Sequence, residues 1–218
     1  MSNFRYVRPE GFPPIVKNLI IINVLFFVAT DFLLQDKFSL PEAPGWGLLG
    51  VFALWPIDSL PFRPYQIFTH MFTHGGIAHI FFNMFNLYIF GRILENVWGP
   101  KKFLFFYLFC GVVAAATHLI VQALSPETAL PTVGASGAVM GVMVGFAYLF
   151  PNTELMLMFI PVPIKAKYLI LGLIAIDLFG GFGRLGATGI AHWAHLGGGL
   201  AGFLLVYIWN KRNRRTFY

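Results

Sequence analysis

The chemistry in this chain begins with Ser136, inside Gly134-Ala135-Ser136-Gly137, and with the imidazole of His195. A serine hydroxyl is a poor nucleophile until a base takes its proton, and histidine is the usual base. Alone, a serine among small residues is ordinary helix-packing material. Its company changes the reading. Gly137, Gly141 and Gly145 repeat at i, i+4, i+8, and Ala194, Gly198 and Gly202 repeat at the same spacing beside His195. Two such stripes let two helices approach almost to backbone contact, and that approach would carry Ser136 to His195. His79 and Asn83, at i and i+4, share one face of a third helix. With the Ser136 backbone N–H they are candidate donors to the oxyanion of an acyl-transfer intermediate.

Other polar residues are given plainer roles. The Gly-x-Ser-x-Gly elbow of soluble hydrolases does not fit, because position 138 is Ala. Asp177 is the only acidic residue well inside an apolar segment on the side of Ser136; it could orient a histidine, but a structural pair or a water-facing position is the favoured expectation. His192 is read as a polar group at a helix mouth, and Glu95, next to Arg92, as half of an ion pair. A competing chemistry would use His70, His74 and His79 as metal ligands. The glutamate of a His-Glu-x-x-His hydrolase is missing, and the nearest carboxylate upstream is Asp58. No metal and no cofactor are therefore expected.

The elements that must position these groups are apolar. Of 218 residues, 57% are hydrophobic and 11% charged, against about 25% charged in soluble domains. The chain reads as an integral, multi-pass all-α membrane protein with a single domain over 1–218. Segments at 15–34, 77–97, 102–124, 136–150, 166–183 and 190–210 mark six helices, and no removable signal peptide is expected. The stretch 35–76, with its prolines and tryptophans, is expected as a long, partly embedded loop between helices 1 and 2. With the N-terminus placed in the cytoplasm, twelve Lys and Arg residues fall on that side, against Lys37, Arg63 and Arg184 on the other. The positive-inside rule then puts both termini in the cytoplasm. The net charge of +6 is thus a matter of topology, and no nucleic-acid partner is expected. The fourth segment is short. Its 15 residues from Ser136 to Phe150 span about 22 Å of a core of about 30 Å, leaving a depression that water can enter.

Four pieces of sequence in this order resemble the rhomboid family of intramembrane serine proteases. They are residues 70–83, with His79-x-x-x-Asn83; residues 91–99, Gly-Arg-Ile-Leu-Glu-Asn-Val-Trp-Gly; Gly134-Ala135-Ser136-Gly137; and residues 194–202, which begin Ala194-His195. The resemblance implies Ser136 as nucleophile, His195 as base, and His79 with Asn83 as oxyanion or water-holding residues. It also implies a six-transmembrane-helix rhomboid-like bundle in which the fifth helix and the loop before the sixth gate the substrate. Met140 stands where some members place an aromatic ring, and the arginine that often precedes helix two is less clear around Arg63-Pro64-Tyr65-Gln66. The expected activity is hydrolysis of a peptide bond in or near the outer part of a transmembrane protein substrate. The expected location is a bacterial plasma membrane. The alternative is a non-catalytic membrane chaperone or binding protein on the same scaffold.

Overall fold

The computed structural model describes residues 11–35, 37–124, 130–157, 160–182 and 192–212. Its long elements are helices, built from runs too apolar to tolerate open backbone in lipid. Helix α1 (Pro14–Val28) continues through a π turn, Ala29–Leu33. Short helices α2 (Gly47–Phe52) and α3 (Gln66–Thr69) lie in the long connection. Helices α4 (Ile77–Asn86) and α5 (Arg92–Trp98) are joined by a π turn into one rod, and α6 (Pro100–Leu124) follows. Then come α7 (Ser136–Leu149), α8 (Ala166–Phe182) and α9 (His192–Arg212). Among the described residues, Pro14–Leu33, Ile77–Trp98 and Pro100–Leu124 are long and apolar enough to cross a membrane. The fold is a helical membrane bundle.

Helix α7 is its axis. Every residue from Gly137 to Ala147 is buried, as befits a helix apolar on all sides. Its glycine stripe explains how neighbours come so close. A Cβ at Gly198 would run into the Gly137 carbonyl oxygen, and one at Gly202 would lie 2.5 Å from that of Gly141. On its other flank α7 meets α6: a Cβ at Gly137 would lie 2.5 Å from Ala114 Cβ, and one at Gly141 2.5 Å from Cys110 Sγ. Helices α7 and α9 therefore pack nearly backbone to backbone, and α6 lays small side chains against α7, so that dispersion contacts accumulate without any hydrophobic drive from lipid.

Three details depart from the sequence reading. Between α7 and α8, β1 (Glu154–Leu157) and β2 (Ile160–Lys165) pair antiparallel, with Glu154 opposite Lys165. Pro161 and Pro163 forbid helix there but are tolerated in an edge strand. Among the described residues Glu95 does not form the ion pair expected to tie its helix end to the following loop. Its carboxylate accepts the backbone N–H groups of Ile15 at 2.9 Å and Val16 at 2.8 Å, so it caps α1, whose first-turn donors lack intrahelical partners. Arg92 instead donates to the Tyr88 hydroxyl at 3.2 Å and lies over that ring. The third is the connection 35–76, organised by a buried amide. Gln66 Oε1 accepts the Arg63 N–H at 3.0 Å, and Gln66 Nε2 donates to the Pro61 carbonyl at 3.0 Å.

Replacing Gly198 with valine should force α7 and α9 apart. An overpacking cost of about 1–3 kcal/mol is expected, read as a lowered thermal unfolding midpoint in detergent, whereas valine at Gly172, which faces open space, should leave the midpoint nearly unchanged.

Candidate functional site

Ser136 is the first residue of α7, and the segment before it is held by the long connection at Thr132 and Gly134. Leu54 and Thr132 exchange backbone hydrogen bonds of 2.9 Å each, and the Gly134 N–H donates to the His70 carbonyl at 2.8 Å. Gly134 has φ +120°, and a Cβ there would lie 2.6 Å from His79 Nε2. Only glycine fits both the backbone and the ring beside it. The chain thus delivers Ser136 at a fixed point, next to His79.

The close packing of α7 on α9 brings His195 to that point. Its Nε2 lies 2.8 Å from Ser136 Oγ. Its Nδ1 lies 2.9 Å from Asp177 Oδ1, contributed by α8, and His192 Nδ1 lies 2.8 Å from the same oxygen. An ionised carboxylate only accepts, so Nδ1 of both rings carries a proton and donates it. His195 Nε2 then presents its lone pair to the serine O–H. Of the alternatives for Asp177, the structure thus shows a paired carboxylate against two histidine rings, not a water-facing group. Its side chain is 8% exposed, and that of His195 16%. His192 is likewise more than a helix-mouth polar group. The signal for both was present in the sequence: one acidic residue in an apolar segment, and two histidines three residues apart on one helix face.

A cavity of about 610 Å³ opens over these groups, and His79, Asn83 and Met140 also line it. Asn83 Nδ2 donates to the His79 carbonyl at 3.0 Å, and the Gly75 N–H donates to His79 Nδ1 at 3.4 Å. The first N–H groups of α7 receive no side-chain cap, so the helix start turns unsatisfied donors toward the space around Ser136. The loop before α9, which the family resemblance pairs with the fifth helix as a gate, lies outside the described residues.

His70 and His74 do not join the serine. His70 Nδ1 donates to the Gln66 carbonyl at 2.9 Å. The His74 ring lies edge-on to that of His79, with 5.1 Å between centroids. Among the described residues no three His, Cys, Asp or Glu side chains are gathered so as to hold a metal ion.

A family model described as Rhomboid domain matches residues 61–212, well over half of the chain. The chain belongs to the rhomboid family. It is 29% identical over 182 residues to the presenilin-associated rhomboid-like protein, mitochondrial, of Bos taurus, covering 74% of this chain and 48% of that protein. Rhomboid protein 1, mitochondrial, of Saccharomyces cerevisiae is 34% identical over 141 residues, covering 64% and 40%. RHOMBOID-like protein 12, mitochondrial, of Arabidopsis thaliana is 31% identical over 179 residues, covering 68% and 52%. The chain spans about half the length of these curated relatives. All three are mitochondrial by name, and this overturns the expected location in a bacterial plasma membrane. The positive-inside bias behind that expectation orients helices in a bilayer but does not identify which bilayer.

Burial lowers the pKa of His70 to about 4 and that of His74 to about 3, from an ordinary 6.5. Between those values the unfolded chain binds protons that the folded one refuses, so stability falls as pH drops below about 6.5. Full expression of the His70 shift is worth on the order of 3 kcal/mol. Thermal unfolding of a Ser136→Ala chain between pH 7 and 4 should show this loss, and His70→Gln should flatten part of the slope.

Proposed function

We propose that this rhomboid is an intramembrane serine endopeptidase of six spans, with residues 35–76 lying partly in the membrane. The observation that carries the reading is the 2.8 Å contact from Ser136 Oγ to His195 Nε2 at the floor of a cavity. His195 takes the serine proton as Oγ attacks the carbonyl carbon of the substrate. Negative charge then builds on the carbonyl oxygen, where the Ser136 N–H, His79 and Asn83 are the donors at hand. Collapse of this intermediate breaks the C–N bond, and the imidazolium gives its proton to the departing amine. Water, deprotonated by the same imidazole, hydrolyses the acyl-serine and returns the hydroxyl.

The substrate in this reading is a transmembrane protein cut in or near the outer part of its helix. A helical peptide bond is shielded by its own hydrogen bonds, so helix-weakening residues (Gly, Pro or small polar ones) near the bond favour cleavage. Family membership and the polar floor of the cavity support the enzyme over a chaperone-like binding protein, which would need no base aimed at a hydroxyl.

A fluorophosphonate probe should label the wild-type chain and fail on Ser136→Ala. Cleavage of a membrane-anchored reporter should fall by about 10³-fold or more in both Ser136→Ala and His195→Ala. A folded wild type that neither labels nor cleaves would favour the binding protein.

A further inference from the structure

Resting on the protease reading, we infer that Asp177 is a positioning residue for the reaction: it fixes the tautomer and direction of His195, and α8 must be seated against α9 for it to do so. A carboxylate in the apolar helix Ala166–Phe182 is costly, and such residues usually serve a site rather than a scaffold. Asp177 is 5% exposed. A single oxygen takes N–H donors from His195 at 2.9 Å and His192 at 2.8 Å. Holding helices together needs only a neutral acceptor such as an asparagine carbonyl. A carboxylate does two further things. It compels the Nδ1–H tautomer that leaves Nε2 free to accept from Ser136, and it stabilises the imidazolium formed when the serine proton arrives.

The second imidazole gives the arrangement its shape. His192 and His195 stand on one face of α9, three residues apart. Gly180, three residues beyond Asp177 on α8, lies against His192: a Cβ there would come within 2.5 Å of the His192 ring. Helix α8 therefore offers α9 an acceptor and a notch side by side. His192 fills the notch and clips the carboxylate from one side, which leaves the oxygen aimed at His195. Because α8 meets the site chiefly through α9, lifting α8 away takes the carboxylate with it and frees the His195 ring to rotate.

The test uses the full chain in liposomes with a membrane-anchored reporter, comparing wild type, Asp177→Asn, Asp177→Glu and His192→Phe, each checked for a thermal unfolding midpoint. Asp177→Asn should lower kcat by about 10²-fold or more, with KM within about threefold of wild type. Asp177→Glu should recover at least tenfold of that loss, and His192→Phe should cost less than about tenfold. An Asp177→Asn chain within threefold of wild type in kcat overturns the inference. So does a loss that appears in KM, or one that glutamate does not relieve. Should Asp177→Asn fail to fold, nitrogen NMR of the histidine rings in the Ser136→Ala chain decides instead: a His195 ring without a hydrogen-bonded proton on Nδ1 overturns it. A wild type that cleaves nothing sinks the protease reading and this one together, whereas an active wild type indifferent to Asp177 sinks this one alone.

Discussion

Everything in the site depends on how closely two helices can lie. Ser136 and His195 are short-reaching groups on separate rods, 59 residues apart in sequence. Ordinary side chains at the contact hold helix axes about 8–10 Å apart, and such a spacing here would carry Ser136 away from the point where His195 now meets it. The Gly137 carbonyl and Gly198 remove that spacing, and Gly141 with Gly202 repeats the approach one turn further. The chemistry is thus purchased with backbone contact, and the glycines that weaken each helix on its own strengthen the pair.

The rest of the bundle holds this contact in place. Helix α6 backs α7 along the same stripe, through Phe106, Cys110 and Ala114. At the far end Trp98 and Trp209 meet edge to face at 5.4 Å, with the Lys102 ammonium 4.2 Å from the Trp209 ring centre, which ties α5, α6 and α9 together. Glu95 fastens α1 to α5 through amide hydrogen bonds. Near the serine the ties are of another kind. The backbone bonds from Leu54 and His70 grip the segment just before Ser136, so the nucleophile is set from both sides of its helix start.

Much of this was legible in the residues. Small residues at i, i+4 and i+8 located the α7–α9 contact, because only small side chains leave room for a neighbouring backbone. The shortness of the fourth segment was legible too: α7 runs only from Ser136 to Leu149. Other features were hidden for a physical reason: they depend on partners far away in the chain. Nothing in the sequence around Glu95 announces that its acceptors serve the N-terminus of α1. Asp177 itself was legible as a lone carboxylate in an apolar segment; what was hidden is its partner, since His195 lies 18 residues away on another helix. Nothing in the run Arg63-Pro64-Tyr65-Gln66 singles out Gln66, and only its buried surroundings reveal that a neutral amide binds the loop's carbonyls and N–H groups. The pairing of β1 with β2 is not legible because both strands are short and β2 carries two prolines.

Cys110, the chain's lone thiol, is fully buried and pressed against Gly141. While α6, α7 and α9 stay together, a water-borne alkylating reagent has no path to that sulfur. The rate at which the thiol becomes reactive is therefore a clock for the parting of the three helices, ticking inside the native protein without any label introduced from outside.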